Sequence, residues 1–101
     1  MEKRTIKFWA QDDRPREKLL AKGKTSLSNA ELIAILIGSG NKNESAVDLS
    51  KRILQSVDNN IHQLAKLSAE KLMSFHGIGE AKAISILTAL ELGKRRQYES
   101  S

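Results

Sequence analysis

A chain of 101 residues accommodates one compact domain and not two. Its 40% hydrophobic content supports a core, which must be aliphatic because the only aromatic residues are two Phe, one Trp and one Tyr. The net charge of +5 suits an anionic partner, while the absence of cysteine excludes disulfides and thiolate metal sites.

The first twelve residues are polar and basic around Ile6, Phe8 and Trp9, and are expected to form a short arm that packs its aromatics on the body. They contain no apolar stretch of the kind a signal peptide needs. The longest apolar run, LIAILI at 32–37, is too short to span a membrane. A soluble, cytoplasmic chain with no membrane partner is therefore expected.

DRPREKLLAK, residues 13–22, starts a first helix, with Pro15 tolerated in its first turn and Gly23 ending it. A second helix begins at Ser28, which has capping-box spacing to Glu31. The following apolar run is compatible with a buried strand, but the capping box and the lack of a pairing strand favour helix. GSGNKNE, residues 38–44, reads as a loop. Ser45, with Asp48 three residues on, caps a third helix on which Ala46, Leu49, Ile53 and Val57 recur at helical spacing.

Asp58, Asn59 and Asn60 break that helix, and a short connector follows at about 61–66. Ser68 caps a fifth helix ending near Phe75, with Leu72 buried. The sixth runs from about Glu80 to Gln97, with Ala83, Ile84, Leu87 and Leu90 as its expected inner face. The fold class is thus all-α. Residues 1–27 supply an arm and an extra N-terminal helix, and residues 28–101 a five-helix domain. Gly38-Ser39-Gly40 stands in the first half where Gly77-Ile78-Gly79 stands in the second, a weak internal repeat with a longer first loop.

LMSFHGIGEAKAISIL, residues 72–87, carries the sharpest local signal. Gly77 and Gly79 are expected to take backbone angles other residues reach only with strain. Ile78 between them pins the turn to the core, and Ala81 and Ala83 permit close helix packing. The amides that follow Gly79 then lie at a helix N-terminus, where unpaired N–H groups and the helix dipole favour an anion such as phosphate. Lys82 is expected to add positive charge beside it.

These residues resemble the helix-hairpin-helix motif, in which a hydrophobic residue between two glycines precedes a small-residue helix. The resemblance implies sequence-independent binding of a nucleic-acid backbone, with Gly77, Ile78, Gly79, Glu80, Ala81 and Lys82 as the contact segment. Two such units joined by a connector form the family's paired five-helix domain. Ser39 departs from the pattern in the first unit. Gly38, Ser39, Gly40 and Lys42, with Lys94, Arg95 and Arg96 at the end of the last helix, are secondary candidates for DNA contact.

The blander readings remain alongside. Gly38-Ser39-Gly40 serves equally as a structural turn, and GSGNKNES lacks the spacing of a nucleotide-binding P-loop. Lys94, Arg95 and Arg96 also suit a solvated helix end. Trp9 is expected to anchor the arm, and His76 to be a polar surface residue. Arg14, Arg16 and Lys18 either face phosphate or pair with Asp12, Asp13 and Glu17. No catalytic constellation, metal site or cofactor site is discernible.

A wider likeness covers nearly the whole chain. WAQDDRPREKLLAKG, LSNAELIAILIGSG, SAVDLSKRIL, GIGEAKA and ELGKR together resemble the N-terminal domain of RadC-like bacterial proteins. That family implies a DNA-repair association and a second, metal-binding JAB/MPN domain whose zinc motif is absent from this sequence. By the resemblance, this segment is a non-catalytic DNA-binding domain. The alternative is a protein-interaction or regulatory module for the JAB/MPN domain, with no DNA contact.

Overall fold

The computed structural model describes residues 14–99. The expected arm around Ile6, Phe8 and Trp9, together with Asp12 and Asp13, lies outside them. Among the described residues there are six α-helices and no strand: α1 Pro15–Lys22, α2 Asn29–Ile37, α3 Ala46–Gln55, α4 Ile61–Ala65, α5 Ala69–Met73 and α6 Glu80–Gln97. A 3-10 turn, Lys24–Ser26, links α1 to α2.

Short polar side chains set most of the helix starts. Ser28 Oγ accepts from the Glu31 N–H at 3.1 Å, and the Glu31 carboxylate accepts from the Ser28 N–H at 2.8 Å, completing the capping box. Ser45, Asn60 and Ser68 accept from Asp48, Gln63 and Lys71 in the same manner. Asp58 and Asn59 end the α3 segment with φ of 54° and 59°, the left-handed region that Asn and Asp tolerate better than most residues.

α2 packs chiefly on α3 and also against α6, while α5 and α4 pack on α6 and α1 lies on α2. Leu49, Ile53, Leu64, Leu72, Ala83 and Ile86 are fully buried at the centre, and Ile33, Ile37 and Ile78 close in around them. The inner face of α6 differs from expectation. Ile84 is 53% exposed, and Ile86 takes the core position beside Ala83, with Leu87 and Leu90 half-buried. At 100° per residue, Ile86 lies 60° from Ala83 and Ile84 lies 100° away on the other side, which turns Ile84 out of the contact stripe.

Candidate nucleic-acid interface

Two connections lie side by side: the long loop between α2 and α3, and the tight turn between α5 and α6. In the tight turn the Ile78 N–H donates to the Phe75 carbonyl at 3.0 Å, and the Ile78 side chain is buried in the core. Gly77 sits at φ +103°, and a Cβ there would press on Asn41 Cβ at 3.0 Å and Leu49 Cδ2 at 3.1 Å. Both conformation and space therefore require glycine at this position.

Gly79 departs from the expectation made for it. Its φ of −94° and ψ of −169° are ordinary extended backbone, and nothing lies within 4 Å of an added Cβ. The serine caps Ser28, Ser45 and Ser68 use closely similar angles. A side chain would fit, and a serine or aspartate would cap the helix. Glycine instead leaves α6 without a side-chain cap. Among the described residues the backbone N–H groups of Gly79, Glu80, Ala81 and Lys82 have no acceptor, while the Ala83 N–H is the first to bond back, to Gly79 O at 3.0 Å. Gly79, Glu80 and Ala81 are exposed. The N-terminus of the longest helix is thus open to solvent and carries the positive end of its dipole.

Lys82 is half-buried, and its ammonium turns toward the other connection, donating to the Ser39 carbonyl at 2.8 Å. Asn41 makes a second tie, donating from Nδ2 to the His76 carbonyl at 2.8 Å. Its Oδ1 accepts from the Asn43 and Glu44 N–H groups, which folds the loop on itself. Gly38, Ser39, Gly40 and Lys42 are thereby brought to the α5–α6 turn, with Lys42 exposed and without an ion-pair partner among the described residues. Lys94, Arg95 and Arg96 are not brought there. They lie at the far end of α6, about 20 Å along the axis, where Arg95 pairs with Glu91 at 2.9 Å.

The open end of α3 is absent from this surface, because Ser45 is buried and caps that helix itself. Near the N-terminus, Lys18 bridges to Glu31 at 3.1 Å and Arg14 to Glu17 at 3.4 Å, so both have protein partners.

One polar cluster with no local signal in the sequence supports the loop. Arg52 donates Nε–H to Glu44 Oε2 at 2.8 Å and from Nη2 to Oε1 at 2.9 Å, while its guanidinium carbon lies 5.6 Å from the Phe75 ring centroid. Asn41 Nδ2 adds a third donor to Glu44, at 2.8 Å. The bonds from Arg52, and then from Asn41, hold the Glu44 carboxyl at about 2. Because that value is depressed in the folded state, the stability it contributes is present above pH 4.5 and is lost as pH falls from there toward about 2. Glu44→Gln is expected to cost about 1–2 kcal/mol at neutral pH and to flatten the acid limb. Urea denaturation at pH 7, 4 and 2.5 checks both, and an unchanged acid limb in the variant would refute the assignment.

Among the described residues no group of three or more His, Cys, Asp or Glu could hold a metal ion. No described helix is long and apolar enough to cross a membrane.

An all-α domain with these two joined connections matches the family model described as UPF0758 N-terminal over residues 6–84. The chain belongs to that family, the RadC-like N-terminal family to which its sequence runs point. Its relatives include a UPF0758 protein of Flavobacterium johnsoniae, 62% identical over 94 residues, which cover 93% of this chain and 41% of that protein. A UPF0758 protein of Bacillus licheniformis is 52% identical over 90 residues, 89% of this chain and 40% of that protein. Another, from Porphyromonas gingivalis, is 47% identical over 92 residues, 90% of this chain and 40% of that protein. The chain thus spans about two fifths of the curated relatives it matches. No solved structure matches it.

Proposed function

We propose that this domain binds DNA without sequence preference, gripping backbone phosphate at the helix-hairpin-helix turn between α5 and α6. The observation that carries the reading is the uncapped N-terminus of α6, where exposed, unbonded N–H groups follow a glycine that neither conformation nor space demands. Such an end attracts anions, and a contact to backbone phosphate carries no sequence information, so binding there is independent of sequence. Exposed Lys42 and His76 flank the turn, while exposed Glu80 opposes an approaching phosphate. One turn makes few contacts, so the affinity is weak and the plot of log K against log salt is shallow, with a slope of about −1 to −3. The domain is non-catalytic and delivers the remainder of a longer protein to DNA.

Fluorescence anisotropy with duplex, branched and single-stranded DNA across a salt series tests this. Binding that weakens steadily with salt is expected. No binding to any of the three at low salt would sink the proposal.

A second reading rests on the other end of α6. An open groove of about 1110 Å³ runs between α4 and the last turns of α6, lined by Ile61, Ala65, Leu87, Leu92 and Tyr98 among others. Leu92 and Tyr98 are largely exposed in it. An apolar surface of this kind suits a protein contact. In this reading the domain is an interaction or regulatory module for the JAB/MPN domain, and the same titration, if blank, leaves it standing.

A further inference from the structure

We infer that Lys82 is a clasp between the two connections and a positioning residue for the surface, not a ligand for phosphate. An ammonium has three N–H donors. Here Nζ donates to the Ser39 carbonyl at 2.8 Å, Ser39 Oγ at 3.1 Å and the Gly40 carbonyl at 3.4 Å. Two close acceptors and one longer one surround the ammonium, so a phosphate drawing on it competes with ties within the fold.

The place where the clasp lands has its own electrostatic logic. Ser39 and Gly40 lie just beyond the C-terminus of α2, the negative end of that helix dipole. α2 has no basic residue in its last turn. Lys82, from the first turn of α6, supplies in trans the cation that would ordinarily come from the same helix. The positive end of α6 and the negative end of α2 are thereby joined through one side chain. The bond from Asn41, the next residue along, to the His76 carbonyl seals the same junction.

The inference rests on the DNA reading only for its consequence: phosphate contacts fall to the α6 amides, and the clasp fixes the long loop beside them. The direct role of Lys82 is tested without DNA.

Lys82→Met keeps most of the apolar stem and removes the donors. Hydrogen exchange is read at the Asn41, Asn43 and Glu44 amides, whose bonds define the loop, with the Leu64 amide of α4 as reference. Exchange at the three loop amides is expected to accelerate about fivefold or more, with Leu64 unchanged. Ser39→Ala, which leaves two of the three acceptors, is expected to accelerate the same amides less, and it carries the test should Lys82→Met fold poorly. In parallel, DNA affinity of Lys82→Met should fall while its salt slope matches wild type. Unchanged loop exchange in either folded variant, or a slope shallower by about 0.9, as loss of one phosphate contact produces, overturns the clasp. Absence of DNA binding by the wild type defeats the DNA reading alone, and the exchange measurement still decides the role of Lys82.

Discussion

Gly79→Asp is expected to make the protein more stable and a poorer binder of DNA. The backbone at Gly79 is extended and open, like that of the serine caps, so an aspartate enters without strain. Its carboxylate accepts from the free N–H groups of the first turn of α6 and meets the positive end of the dipole. The gain is about 0.5–1 kcal/mol, or about 3–6 °C in melting temperature for a domain this size. The same carboxylate occupies the place proposed for a phosphate and repels one, so DNA affinity should drop by about tenfold or more at low salt. Calorimetry and anisotropy on one sample check both halves. A stabilised variant that binds DNA as well as wild type would place the contact elsewhere. Opposite signs in stability and binding would explain why a domain that caps four of its six described helices with side chains leaves its longest one bare.

Gly40→Ala is expected to be the most damaging small substitution in the first loop. An added Cβ would collide with the Glu44 carbonyl oxygen and lie 2.5 Å from the Ser45 carbonyl carbon. These are backbone atoms of the α3 cap, and they cannot swing aside as a flexible side chain can. The loop must open, breaking the bond from the Asn41 N–H to the Glu44 carbonyl at 2.9 Å and shifting the buried Ser45. A loss of about 3 kcal/mol is expected, read as a lower urea midpoint at unchanged m value. A cost below about 0.5 kcal/mol would mean that the loop yields more readily than this geometry implies.

What could be read from the sequence follows from how far apart the interacting groups lie along it. Capping by Ser28, Ser45 and Ser68 depends on a partner three residues away, and each cap forms where expected. The turn at Gly77 and its apolar plug Ile78 were legible because bulk and spacing are written locally, whereas Gly79 takes extended backbone and not the glycine angles expected of it. Ile84 was misassigned because Ile and Leu occur on adjoining faces of α6, and a choice between Ile84 and Ile86 depends on the helix's rotation against α2. The purpose of Gly40 was hidden, since the obstructing atoms belong to a later backbone bend. Likewise nothing near Lys82 announces that its ammonium is already engaged, nor does anything near Arg52 announce the carboxylate of Glu44 and the ring of Phe75.

The ties from Asn41 to His76 and from Lys82 to Ser39 join residues 35 and 43 positions apart, whereas each serine cap spans three. Closing a loop of that greater length costs about 2 kcal/mol more in chain entropy. Helix starts can therefore settle at nearly any stage of folding, whereas the junction gains stability only after the core has brought α2 and α6 together. The surface beside the open helix end is in this sense a late product of the topology, assembled from two distant stretches of chain.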